Sequence, residues 1–540
     1  MIALALFLLP WAGLVLVRHR HLDVDTVVAV VFGVAAVSVS LPTFWLTWAA
    51  YRGPRRVGGG LSLAEVADQL AIAVGTQWEA EARVRRLNDP YPLPVSWVPA
   101  DGSLTDPWES LVKLASSGAG WPAPPPEGTW ALGPDDLAGR GGELAEVLAR
   151  VPTGRLVVLG DPGAGKTMLM VRLVLDVLGR RAAGAPVPFL ASIASWNPVE
   201  QQLRDWLADQ FLIAHPALAN PPADGRREPT QAAALLASGL ILPVLDGLDE
   251  IPEQVRGSAI SRINDALRPG ESLVVTCRTQ QYRDAVRPEG GLEVTLRAAA
   301  AVQVRPLDAD TVSDYLSDDA AGPTAKTRWA PVLAVLGTEA PVAQALVTPL
   351  MVGLARAIYN PRPGELVGTL RDPADLCNST LPHREAVESF LFGEFIPASY
   401  RHDPGSRWMA RDAEKWLVFL ARHLERNIVG SDLAWWQLKC SIPRTPARLA
   451  TGVVAGATFG VLFGLAAGVV AAVVFAVAAG GTAALVFMSN VEAPARGMRV
   501  SISGPGILSG AVAGGLAGVL ALVGTRACFK SELSGPDSLK

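Results

Sequence analysis

Cysteine is nearly absent. The four in this 540-residue chain, Cys277, Cys377, Cys440 and Cys528, share no CxxC spacing. This argues against a disulfide framework and a cysteine zinc site, and a reducing compartment fits. Charge is also thin, at 18% Asp, Glu, Lys and Arg against roughly 25% in an ordinary globular chain. The net charge of −4 leaves no basic surplus for nucleic acid. Lysine is scarce, seven among 47 basic residues, so a lysine inside a motif carries weight. No segment repeats at a period of 20–50 residues, which argues against a solenoid sensor.

What is plentiful is apolar: 50% of residues, with mean hydropathy +0.29. The excess sits at the two ends. Residues 2–17 and 26–51 carry no charge, nor do 450–490 and 502–525. A bilayer core needs about 20 such residues. We therefore expect two transmembrane helices within 1–51, a hairpin at 449–490 turning near Gly480 and Gly481, and one helix at 501–525. The alternative, buried core helices of a large soluble protein, must explain helices this long without charge. Gly452, Gly456, Gly460, Gly464 and Gly468 recur every four residues, as do Gly506, Gly510, Gly514 and Gly518. Such a stripe lets helix backbones approach closely, within one chain or between copies. Arg52, Arg55 and Arg56 bias the chain after the second run toward the cytoplasm. A multi-pass cell-membrane protein with a lipid-bilayer partner and a cytoplasmic middle is expected.

Residues 52–148 read as a helical region with proline-rich connectors. Ser62 and Glu65 form a capping box that opens a helix running to about Leu87. The stretch from Trp78 to Trp97, with Glu79, Glu81 and Arg83, reads as a solvated helix face. Near Arg150 strand and helix signals begin to alternate, which indicates an α/β domain at 149–300, a parallel sheet flanked by helices. Residues 301–448 read as helical, with a candidate winged-helix segment.

The chemistry lies in that α/β stretch. The apolar strand 155–159 runs into Gly160-Asp161-Pro162-Gly163-Ala164-Gly165-Lys166-Thr167, and an apolar helix opens at Met168. This is GxxxxGK[ST] in its strand–loop–helix context. The glycines let the backbone curl round phosphates, and the helix N-terminus adds its positive end. Lys166 reaches the β- and γ-phosphates, and the Thr167 hydroxyl ligates Mg²⁺. The second motif closes the strand 240–245 with Asp246-Gly247-Leu248-Asp249-Glu250. Asp246 is expected to hold Mg²⁺ through water, on the strand neighbouring the phosphate strand, and Asp249 or Glu250 to orient or deprotonate water. Pro243 is awkward there because it lacks a ladder donor. A third strand, 272–277, read as lying next to the phosphate strand, ends at Arg278, which is placed to sense a γ-phosphate.

GDPGAGKT (160–167), VPFLASIASWNP (187–198), LPVLDGLDE (242–250) and LVVTCRTQQY (273–282) together resemble the NACHT family of STAND P-loop NTPases, of the actinobacterial membrane-anchored type. Thr348-Pro349-Leu350 resembles the family's proline motif, and the resemblance implies that Pro349 lies against the nucleotide. It further implies ATP/ADP as ligand and a signalling or defence switch that self-associates, hydrolyses slowly and answers to an unknown signalling partner. Two rivals remain open: an ATP-binding scaffold with negligible hydrolysis, and a membrane transport-associated ATPase. An ABC-type ATPase needs LSGGQ between Lys166 and Asp246, which is absent, and no membrane run interrupts 168–239 as in KAP-type ATPases.

Overall fold

The computed structural model describes residues 61–84, 93–118, 121, 130–222, 228–288, 290, 292–318, 324–360, 371–400 and 408–427, with Val453. All but Val453 fall in one compact unit, Gly58–Ser431. The membrane helices expected within 1–51, 449–490 and 501–525 lie outside the described residues, Val453 apart. Among the described residues no helix is long and apolar enough to cross a membrane.

The described residues form a seven-stranded sheet: β1 (Ser96–Pro99), β2 (Gly139–Arg140), β3 (Arg155–Leu159), β4 (Val187–Ser192), β5 (Ile241–Asp246), β6 (Leu273–Cys277) and β7 (Ala300–Val304), in the order β2-β1-β7-β3-β6-β5-β4. From β7 to β4 the neighbours are parallel. β1 pairs antiparallel with both β7 and β2. Every residue of β3 and β6 is buried. Such unbroken apolar runs, without alternation, belong to central parallel strands covered on both faces.

Fourteen helices accompany the sheet among the described residues: α1 (Leu63–Val84), α2 (Trp108–Ser116), α3 (Leu144–Arg150), α4 (Lys166–Arg180), α5 (Leu203–Ala214), α6 (Gln231–Ala237), α7 (Glu253–Ala266), α8 (Thr279–Val286), α9 (Ala309–Asp318), α10 (Thr324–Leu333), α11 (Pro341–Ala345), α12 (Pro349–Tyr359), α13 (Arg384–Tyr400) and α14 (Ala410–Asn427). The capping box closes as its sequence dictates. The Ser62 amide donates to Glu65 Oε2 (2.8 Å) and the Glu65 amide to Ser62 Oγ (3.3 Å). Asp68 then ties α1 to the end of α4, accepting from the Gly184 amide (2.8 Å) and pairing with Arg181 (2.7 Å).

Two features depart from the sequence reading. Residues 52–148 are more than helix and linker, because they supply β1 and β2. Trp97 is no solvated face: it is 1% exposed on β1, and its indole N–H donates to the Leu137 carbonyl at 2.9 Å. A four-residue strand flanked by prolines is too short for periodicity to reveal. Pro243 does sit in β5, paired with Phe189 on the β4 side. The β5–β6 register begins only at Val244 opposite Val274, so the missing donor falls outside that ladder.

Arg155, at the start of β3, is 4% exposed. It donates to the carbonyls of Glu271, Arg268 and Arg297 and lies over the Trp121 ring. Burial pushes its pKa down to about 10, with Glu271 opposing. A second apolar cluster spans Leu307 to Ala398, where Trp329 packs edge-on against Tyr359. In 371–427 the described residues form α13, α14 and a 3₁₀ turn at Pro373–Cys377, with no strand. Trp97→Ala is expected to cost about 3–5 kcal/mol, as cavity and lost carbonyl partner combine. The equilibrium unfolding free energy measures it.

Candidate functional site

The loop 160–165 turns at glycines that no other residue could replace without strain. Gly163 has φ +76° and Gly165 φ +84°. A Cβ on Gly160 would stand 3.1 Å from the Val304 Cβ. Gly165 is also the N-cap of α4 and gives that helix no side-chain cap. The first-turn amides are thus left for an anion, where the helix dipole adds its positive end. Lys166 Nζ folds over the loop, donating to the carbonyls of Gly160 (2.7 Å) and Asp161 (3.2 Å). Burial lowers its pKa, and the carboxylate of Asp249 opposes the shift.

The two motifs meet. Thr167 Oγ1 donates to Asp246 Oδ2 at 2.7 Å. The expected adjacency of their strands does not hold, however: β6 lies between β3 and β5. The contact therefore passes over the carboxyl end of β6, where Thr276, Cys277 and Arg278 stand. Ligand crevices in open α/β sheets lie outside the strands' carboxyl ends, and Gly160, Asp246 and Cys277 all lie there. A cavity lined by Leu203, Arg204, Ile241, Pro243, Glu271 and Leu273 lies at the opposite, amino ends of β5 and β6. Arg204 and Glu271 pair within its wall, so it is a structural gap.

Asp249 and Arg278, read separately from the sequence, form one unit. Asp249, its side chain 8% exposed, accepts from the Arg278 amide at Oδ1 (3.0 Å) and from its Nε at Oδ2 (2.8 Å). Both carboxylate oxygens are engaged. Glu250 folds back over Gly247, and Ser192 Oγ donates to its Oε2 at 3.5 Å. Arg256 braces this turn from below, donating to the carbonyls of Asp249 and Ile251. Asp161, Pro162, Ala164 and Met168 complete the loop and helix start; Ala164 is buried, Met168 half-buried, and Asp161 and Pro162 exposed. Thr348-Pro349-Leu350 lies directly on the loop. The Leu350 amide donates to the Gly163 carbonyl (3.2 Å), and the Pro349 Cγ is 3.5 Å from where a Gly165 Cβ would be. Sequence reasoning missed Thr276, Ser192 and Val95, which approaches Gly165 from the β1 side. Ser192 and Thr276 lie inside the stretches 187–198 and 273–282 that carry the resemblance, but their residue types mark no chemistry there.

This donor set suits a magnesium nucleotide: a hydroxyl and a carboxylate in contact, an uncapped helix start and a lysine over a glycine cradle. Residues 154–321 match the model of the NACHT domain. Over that stretch the chain is similar to a NACHT P-loop NTPase domain. No curated protein matches the chain. Among solved structures the chain is similar to the crystal structure of Cdc6p from Pyrobaculum aerophilum, with 14% identity, 56% of this chain and 68% of that one covered, and a TM-score of 0.22. Gly163→Ala is expected to destabilise by about 1–2 kcal/mol, because its left-handed backbone penalises a side chain. Gly179→Ala, in open space on α4, should be neutral or stabilise by up to about 1 kcal/mol. Paired unfolding curves decide.

Proposed function

We propose that this protein is a membrane-anchored, nucleotide-dependent switch: a NACHT ATPase whose slow hydrolysis is coupled to self-association. The observation that carries the reading is the Thr167–Asp246 contact, which joins the phosphate loop to the second motif across the sheet. Thr167 and Asp246 would hold Mg²⁺, which supplies charge neutralisation at the phosphates. The α4 amides and Lys166 would bind the phosphates. Lys166 would then exchange two contacts to neutral carbonyls for contacts to ionised phosphate oxygens. Pro349 would stand against the nucleotide, and Arg278 would sense its γ-phosphate on leaving Asp249. A γ-phosphate biases two arrangements only by binding them unequally, and the Asp249–Arg278 pair offers such a difference. The uncharged terminal runs support the bilayer as partner and a cytoplasmic NTPase domain. Cysteine labelling of Arg52 and Glu492 variants in intact cells tests this, and labelling of the central domain from outside would refute it.

The engagement of both Asp249 oxygens favours slow chemistry, and the scaffold with negligible hydrolysis is the second reading. Glu250, the other carboxylate of the turn, would activate water. Glu250→Gln should lower turnover by about 10²–10⁴-fold while ATP binding persists. Asp249→Asn should alter ATP/ADP discrimination more than turnover. The reverse ranking would reassign the base.

Lys166→Ala should abolish ATP binding by the full chain; equal binding would remove the assignment. In the wild type, phosphate favours charged Lys166, so its pKa is higher in the complex than in the free protein. Affinity should therefore fall as pH rises from the depressed free value toward that of the complex, with proton uptake on binding. Calorimetry in buffers of differing ionisation enthalpy reads this directly.

A further inference from the structure

Thr276 lies within the LVVTCRTQQY stretch (273–282) but was given no role there, yet it is a fully buried polar residue of the site. It is 0% exposed at the fourth position of β6. The register places it there: Thr276 stands beside Val158 of β3. On the other side β5 and β6 pair Val244 with Val274 and Leu245 with Val275, so the next step brings Asp246 level with Thr276. Strands in a sheet lie about 4.8 Å apart, within reach of two short side chains.

The hydrogen bonding determines the direction of the contact. The Gly247 amide donates to Thr276 Oγ1 at 2.9 Å. That bond uses an oxygen lone pair, so the hydroxyl keeps its own proton to give away. Asp246 Oδ1, at 2.5 Å, receives it. Asp246 thus accepts one hydroxyl from each side: Thr276 at Oδ1 and Thr167 at Oδ2. A carboxylate at a strand end rotates broadly about its last torsion. With Oδ1 held from below, only Oδ2 remains to face Thr167. Gly247, at φ +84°, turns the chain sharply just after Asp246, and its amide is pinned to the same hydroxyl.

We infer that Thr276 is the positioning residue of the magnesium site, orienting the Asp246 carboxylate and bracing the Gly247 turn without touching the ion. The inference rests on the nucleotide reading above and adds to it a role for one residue to which the motifs assign none. Partners of this kind change metal affinity by about 10–100-fold when removed.

The test uses the full chain and a fluorescent ATP analogue titrated with and without Mg²⁺. Thr276→Val keeps the shape and removes the hydroxyl; Thr276→Ser restores it. Thr276→Val should raise the Mg²⁺ concentration for half-maximal binding by about 10–100-fold, leave affinity in EDTA unchanged, and be rescued by Thr276→Ser. A Thr276→Val protein with wild-type Mg²⁺ dependence overturns the inference and leaves the nucleotide reading standing. So does equal loss with and without Mg²⁺, or failure of Thr276→Ser to rescue. Absence of nucleotide binding by the wild type would overturn both.

Discussion

A single carboxylate, Asp246, sits where three elements end. The amino terminus of α4 reaches it through Thr167, and the carboxyl end of β6 reaches it through Thr276. β5 carries it. The arrangement exists only because the register of β3, β6 and β5 brings those ends level. A slip of one residue in β6 would turn Thr276 to the other face of the sheet and leave the Asp246 oxygen and the Gly247 amide without their partner. The buried apolar runs of β3 and β6 therefore have a second consequence beyond cohesion: they hold the chemistry in register.

Around that carboxylate the site is joined to its surroundings by backbone and charge. Asp249 holds Arg278 at the same strand end, with Arg256 beneath. Above the loop, the Leu350 amide meets the Gly163 carbonyl, while the Leu307 amide is bonded to the Val347 carbonyl. Thr348 caps α12 through the Met351 amide. The second apolar cluster therefore touches the phosphate loop through the backbone, and its helices cannot shift without disturbing residues 160–165. On the far side, α1 reaches the end of α4 through Asp68 and Arg181. The phosphate-binding helix is thus gripped at both ends by segments outside the central sheet.

Much of this was legible in the residues. The glycine loop, its lysine and threonine, and the DGLDE turn have fixed spacing because phosphate and metal chemistry demands it. The capping box at Ser62 and Glu65 was equally plain, since its partners are three residues apart. What escaped were features whose partners are remote in sequence. Trp97 reads as a surface residue until β1 is seen pairing with β7, some two hundred residues on. Asp249 reads as a free base until Arg278 is found on it. Thr276 lies within LVVTCRTQQY, but a threonine in a strand is commonplace and gives no sign of its role.

The sequence by itself determined the local chemistry: which loop can cradle phosphate, which helix follows it and which carboxylates end a strand. Short-range geometry is enough for that, since each motif lies within a few residues. Only the tertiary structure decided that β6 separates the two motif strands, that its threonine donates to the Asp246 carboxylate, and that Asp249 is tied to an arginine. Strand order and register arise from packing across the whole sheet, and no local pattern of residues encodes which strand will lie between two others.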